Sequence, residues 1–169
     1  MQMTTTYQTD RLQLYPLTVQ DAAFIFELVN TPEWIKFIGQ RNVNSLEDAN
    51  KYIQKILDSA NISYKVIRLK EIFTPVGIIT LIKRDYLDAY DIGFAMLPQY
   101  AGKGYAYEAA KMVLDTELAS GSHDKITAIT VSTNERSIKL LEKLGLRFEK
   151  QIEDAGEELL VFSTGAKKN

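Results

Sequence analysis

The stretch Gln99-Tyr100-Ala101-Gly102-Lys103-Gly104-Tyr105-Ala106 sets two glycines and a lysine between a strand-like run and a helix-like one. A helix N-terminus presents unpaired N–H groups and a partial positive charge, which suits phosphate. Gly102 and Gly104 lack the Cβ atoms that would hold a pyrophosphate away, and Lys103 adds a positive charge. The spacing excludes a P-loop, which needs Gly-x-x-x-x-Gly-Lys-Ser/Thr, because Gly104 and not a hydroxyl residue follows Lys103. It also excludes a dinucleotide fingerprint, which would need a third small residue where Tyr107 stands. Two readings remain: a phosphate cradle, or a strand-to-helix turn whose glycines serve geometry alone.

Other reactive chemistry is sparse. The 169 residues hold no cysteine, so no thiolate can act as nucleophile or metal ligand. The one histidine, His123, lies in Ser-Gly-Ser-His-Asp and reads as an ordinary surface residue. A multi-histidine metal site is therefore excluded, and no metal is expected.

The elements around the loop follow from periodicity. Arg11 to Tyr15 alternates like a half-buried strand, and Thr18-Val-Gln-Asp21 opens a helix with a capping box. That helix stops near Asn30, ahead of Pro32. A short turn or helix spans Glu33 to Ile38, and a second full helix runs from Ser45 to about Ala60. Strands are expected at 62–69, 76–82 and 90–97, then a helix at about 103–118 with Ala106, Ala109, Ala110, Val113 and Leu114 facing the core. A strand at 126–131 and a helix that begins at Asn134 and ends before Gly145 come next. Two strands, 146–152 and 158–163, meet at an Asp154-Ala155-Gly156 turn. Meander followed by strand-helix-strand-helix is a mixed α/β layout.

Composition sets the class. Hydrophobic residues at 46% and charged residues at 25% describe a chain able to bury a core. A net charge of −2 lacks the basic footprint of a nucleic-acid binder. Residues 1–8 hold no basic and apolar leader, and no apolar run nears the ~18 residues of a membrane span. The expectation is a single domain over 1–169, cytoplasmic, with neither nucleic acid nor membrane as partner.

Gln99-x-x-Gly102-x-Gly104 after the fourth expected strand resembles the acetyl-coenzyme A signature of the GNAT superfamily of N-acetyltransferases. The wider segment from Asp91-Ile92-Gly93-Phe94 to Tyr107-Glu108-Ala109 is similar to the branch of ribosomal-protein alanine N-acetyltransferases. So are Thr9-Asp10-Arg11-Leu12-x-Leu14, Asn134-x-x-Ser137-Ile138 and Leu141-Glu142-Lys143-Leu144-Gly145. The resemblance covers nearly the whole chain in order. It implies a central, mostly antiparallel, twisted sheet of about seven strands, splayed between the fourth and fifth and flanked by about four helices.

It also implies roles. Backbone N–H groups from Gln99, Tyr100, Ala101, Gly102, Lys103, Gly104 and Tyr105 would hold the pyrophosphate of acetyl-CoA. Phe94, Ala95, Met96 and Leu97 would pair with the pantetheine arm, and Asn134 would touch it or merely cap its helix. A neutral amine would attack the thioester directly, with the Met96 N–H on the carbonyl oxygen. An α-amine of pKa near 8 needs about 1.4 kcal/mol to be neutral at pH 7, and a lysine about 4.6 kcal/mol. A protein N-terminus or a small-molecule amine is thus the easier acceptor.

Asp91 stands where many relatives carry a glutamate base; its plainer role is a strand-edge carboxylate facing water. Glu108 matches a recurrent glutamate and complements the helix dipole. Leu141 replaces the family's usual tyrosine acid, and Ser137 stands where the ribosomal-protein branch carries a serine for that work, or is a cap-region hydroxyl. Trp34, Phe37 and Ile38 would wall the acceptor side. The enzyme would act as a monomer or homodimer. The loss of the tyrosine leaves a non-catalytic acyl-CoA-binding module as the alternative.

Overall fold

The computed structural model describes residues 7–165. Its sheet runs in the order β1 (Tyr7–Gln8), β2 (Leu12–Pro16), β3 (Ile62–Leu69), β4 (Pro75–Ile82), β5 (Tyr90–Met96), β6 (Ile126–Thr130), β8 (Glu157–Ser163), β7 (Arg147–Asp154). All neighbours are antiparallel except β5 and β6. This parallel pair meets only at Tyr90↔Ile126 and Asp91↔Thr127, after which the two strands part. Five α-helices accompany the sheet: α1 (Ala22–Val29), α2 (Pro32–Phe37), α3 (Leu46–Leu57), α4 (Tyr105–Ala119) and α5 (Glu135–Lys143).

The mixed α/β layout with its splayed centre is as the sequence predicts, with local corrections. An eighth strand, β1, is only two residues long, too short to show any periodicity. β4 begins at Pro75, one residue before the expected strand, opposite Arg68 at a register shift where a missing N–H is tolerated. The glycine-loop helix starts at Tyr105, two residues later than expected, because Gly104 takes φ +84°, outside the helical region. His123 is half-buried. Its Nε2 stands 3.3 Å from Glu117 Oε2, and its ring packs edge-on against Tyr90 at 4.9 Å.

Two apolar layers fix the sheet. On one face, α4 lays Ala109, Ala110, Val113 and Leu114 against Leu12, Leu14, Ile67, Ile79 and Ile92. The small alanines let helix and sheet approach closely, while Ala106 from the same expected stripe turns to a cleft instead. On the other face, Ile25, Leu28 and Trp34 of the first two helices and Ile53 of α3 cover Val66 and Ile78. Each fully buried Leu or Ile contributes roughly 1.5–3 kcal/mol. Caps set the helix starts: Thr18 and Asp21 form the expected capping box, Thr31 Oγ1 accepts from Trp34 N–H, and Ser45 Oγ from Asp48 N–H. Among the described residues, no helix is long and apolar enough to cross a membrane.

Candidate active site

Where β5 and β6 part, a cleft of about 910 Å³ opens between the two apolar layers. Its walls are β5 from Asp91 to Met96, β6 from Ala128, the start of α5, the turn before α4, and α2 with the loop after it.

At one end lies the glycine loop. Gly102 and Gly104 both adopt left-handed φ, +76° and +84°, which a side chain would strain. No side chain caps α4, whereas Ser45 and Asn134 cap α3 and α5. The first N–H groups of α4 therefore keep their hydrogen-bonding capacity beside the cleft. The loop is held from outside by Arg11, whose Nε donates to Glu108 Oε1 at 2.7 Å and whose Nη1 donates to the Lys103 carbonyl at 3.1 Å. Its guanidinium also stacks 4.5 Å from the Tyr105 ring. Glu108 receives the Arg11 N–H at 3.1 Å and the Thr9 hydroxyl as well. Burial would raise its pKa, but these donors hold it below the usual carboxylate value.

Along the middle, β5 offers backbone. The Leu97 N–H donates to the Val76 carbonyl at 2.8 Å. Strand alternation then turns the N–H groups of Phe94 and Met96 away from β4 and towards the gap left by β6. Tyr100, Ala101, Gly102, Gly104 and Tyr105 line the cleft with them. The Leu97 side chain is buried in the core and its N–H is spent on β4, and the side chains of Gln99 and Lys103 are exposed, so only their backbone N–H groups are left for the role expected of them.

Asp91 lies at the fork where the strands separate, only 3% exposed, which rules out a carboxylate facing water. Arg84 Nε donates to its Oδ2 at 2.8 Å, while its buried Oδ1 has no hydrogen-bond partner. Burial raises the Asp91 pKa to about 6, against the opposing pull of Arg84. Gly93, next on the same face, leaves the floor low, since a Cβ there would stand 2.6 Å from Thr80 Oγ1.

On the opposite wall, Asn134 Oδ1 accepts the Ser137 N–H at 3.3 Å and caps α5. The cap uses the Ser137 backbone, so the Ser137 hydroxyl is not committed to it and lines the cleft. Leu141, 1% exposed, is part of the core beneath. Trp34 and Phe37 of α2 also line the cleft, and Trp34 is at once wall and core at 4% exposure.

Several lining residues carried no sequence signal. Arg41, Tyr64, Thr80 and Arg84 sit in otherwise unremarkable runs and converge only through strand register and the loop after α2. Arg136 could have been noticed inside Asn134-x-x-Ser137; it lines the cleft near Gly102 and pairs with Glu33 at 3.2 Å.

Comparison with known proteins agrees with this geometry. The profile of the family described as "Acetyltransferase (GNAT) domain" matches residues 11–147. The chain is 28% identical over 148 residues to the uncharacterized N-acetyltransferase YoaA of Bacillus subtilis, covering 84% of this chain and 82% of that protein. In fold it is similar to the ribosomal L7/L12 alpha-N-protein acetyltransferase RimL, with a TM-score of 0.81 at 12% identity, over 95% of this chain and 93% of that one. It is also similar to the microcin C7 self-immunity acetyltransferase MccE, solved with acetyl-CoA and AMP, with a TM-score of 0.80 at 17% identity over 92% of each chain.

Proposed function

The chain belongs to the GNAT acetyltransferase family, and on that premise we propose that it is an N-acetyltransferase acting on a primary amine, either a protein N-terminal α-amine or a small-molecule amine. One GNAT-like unit over residues 1–169 would carry the reaction, working in the cytoplasm as a monomer or homodimer. The observation that carries the reading is the split between β5 and β6, with unpaired β5 backbone, an uncapped glycine-led helix at one end and a buried carboxyl at the fork.

Acetyl-CoA, when bound, supplies the acetyl group as an activated thioester. The residues fit it: Gly102 and Gly104 leave backbone N–H groups approachable, the α4 N-terminus favours anionic phosphate, and the open edge of β5 matches an amide-bearing arm. The Met96 N–H donates towards the carbonyl oxygen as negative charge builds there. Asp91 takes a proton from the incoming ammonium. At a pKa of about 6 it does so against an α-ammonium near 8 at a cost of about 3 kcal/mol, where an ordinary aspartate would face about 6 kcal/mol. The Ser137 hydroxyl, left free by the Asn134 cap, donates a proton to the departing sulfur. The new C–N bond forms as the C–S bond breaks, one ammonium proton passes through Asp91 to solvent, and a second proton ends on the thiol.

The first test is thermal unfolding with millimolar acetyl-CoA, ATP or NAD, followed by thiol release with a panel of amines. Ligand at 100 times its Kd adds about 2.7 kcal/mol of stability. A shift with acetyl-CoA alone, then thiol release on adding an amine, supports the reading. No shift, or a shift with no turnover of any amine, rejects it.

A further inference from the structure

We propose, resting on the acetyltransferase reading above, that the acceptor is an aminocarboxylate: a small molecule carrying both the reacting amine and a carboxylate, the carboxylate being bound by Arg41 and Arg84.

Two of the guanidinium groups that line the cleft are those of Arg41 and Arg84. Arg84 spends its Nε on Asp91 at 2.8 Å, and among the described residues it makes no second ion pair. Arg84 and Tyr86 both line the cleft wall. Arg41 comes from the loop after α2, and among the described residues it has no carboxylate partner. Its guanidinium lies 6.0 Å from the Trp34 ring centroid, and a Cβ on Gly39 would stand 3.3 Å from its Nη1. The loop is tethered by Asn30 Nδ2, which donates to the Val43 carbonyl at 2.9 Å.

Both arginines line the cleft together with Tyr64, Thr80 and Gly93. The Tyr64 hydroxyl, 3.0 Å from the Tyr52 hydroxyl, is pushed up in pKa by burial first, and Arg41 and Arg84 both pull it down. Two side chains far apart in sequence thus bring positive charge to the same hydroxyl. Tyr64 lies opposite Thr80, which lies opposite Gly93, so this spot is one row along the sheet from Asp91.

The chemistry of that arrangement selects a ligand. Guanidinium groups bind carboxylates through paired, charge-assisted hydrogen bonds, and an aromatic face beside one limits its freedom. A diamine or polyamine would bring a second positive charge to Arg41 and Arg84; of the carboxylates that line the cleft, Asp91 is already paired, and Asp154 and Glu157, at the end of β7 and the start of β8, are exposed to solvent. A peptide N-terminus would place a neutral amide there, leaving Arg41 without a carboxylate and Arg84 with Asp91 alone. An aminocarboxylate satisfies the two ends together: ammonium towards Asp91, carboxylate towards Arg41 and Arg84. Acetylation forms the C–N bond, breaks the thioester C–S bond, releases the thiol and one proton, and leaves the carboxylate intact.

The experiment measures thiol release and, separately, binding by calorimetry in the presence of acetyl-CoA. The probes are free amino acids, their C-terminal amides, an N-terminal Ala peptide and a linear diamine. Wild type is expected to favour at least one free amino acid over its amide by about tenfold or more in KM, the size of a charge-assisted hydrogen bond. R41M should abolish that preference and R41K restore part of it, while acetyl-CoA affinity holds, which also reports that the variants fold. An amide, peptide or diamine turned over as well as every acid, or a preference that survives R41M, overturns the proposal and leaves the N-acetyltransferase reading standing. Acid-selective, Arg41-dependent binding without turnover of any amine overturns the proposal, since a carboxylate that is bound and never acetylated is no acceptor, and counts against the catalytic reading. Neither binding nor turnover of any acid overturns the proposal.

Discussion

Arg84 Nε meets Asp91 Oδ2 at 2.8 Å at the point where β5 and β6 separate, so a buried carboxyl and its one guanidinium partner stand together at the floor of the cleft. The pair has two opposed effects. Arg84 favours the carboxylate and burial disfavours it; burial wins, and the Asp91 pKa rises to about 6.

That balance predicts the pH behaviour. Activity should rise with pH as Asp91 ionises near 6, then rise again as the amine itself loses its proton. D91N should remove the lower limb and reduce kcat/KM at pH 7 by about a hundredfold or more. A pH–rate profile on both proteins checks this; an unchanged lower limb in D91N would reject Asp91 as the base. Stability has the opposite sign. A carboxyl whose folded pKa is raised holds its proton more tightly in the fold, so its contribution is full below the unfolded value and lost as pH rises through about 6. D91N should flatten that part of a Tm-against-pH curve.

Gly104 sits at φ +84° with Arg11 Nη2 only 3.3 Å from where its Cβ would be. G104E adds a left-handed side chain, a steric block and a negative charge at the N-terminus of α4. Its acetyl-CoA affinity should fall at least about a hundredfold, since both backbone approach and charge are lost. Calorimetry measures it, and an unchanged Kd would remove the loop from the site.

Glu108 joins two distant parts of the chain by accepting the Thr9 hydroxyl, the Arg11 N–H and Arg11 Nε. E108Q should cost roughly 1.5–3 kcal/mol at pH 7. Because the folded pKa is lowered, this contribution is present above the ordinary glutamate value and disappears as pH falls through the folded one. Urea unfolding at pH 7 and at pH 3 should therefore show the difference at neutral pH and a much smaller one in acid.

Ser137 offers its N–H to the Asn134 cap and keeps its hydroxyl for the cleft. S137A should leave unfolding unchanged within about 0.5 kcal/mol and lower kcat by less than about thirtyfold, since a thiolate of pKa near 8.5 leaves with at most ~2 kcal/mol of help. A stopped-flow or steady-state comparison decides between an acid and a bystander: equal kcat at pH 7 and pH 8 in both proteins would mean a bystander.

Much of this was legible in one dimension. Alternation marked β2, β-rich runs of strand length marked β3, β4 and β5, caps at Thr18, Ser45 and Asn134 marked helix starts, and Gly102-x-Gly104 marked the phosphate-suited turn, because each of these signals is local. Residues Thr9 to Arg11 were also visible as part of a resemblance, but not what they do. Their partner Glu108 is about a hundred residues away, and only the packing of α4 across β2 brings them together.

The tertiary structure decided the rest. It turned Asp91 from a surface carboxylate into a buried one, since exposure depends on which strands flank β5 and how far β6 follows it. It took the Leu97 N–H out of the cleft, because strand register sends it to the Val76 carbonyl. It gathered Arg41, Tyr64 and Arg84 from a loop, a strand and a strand end. Sequence sets local geometry through short-range sterics and hydrogen bonds. Which charges share a pocket is set by the folding of distant segments onto one sheet, and no spacing along the chain encodes it.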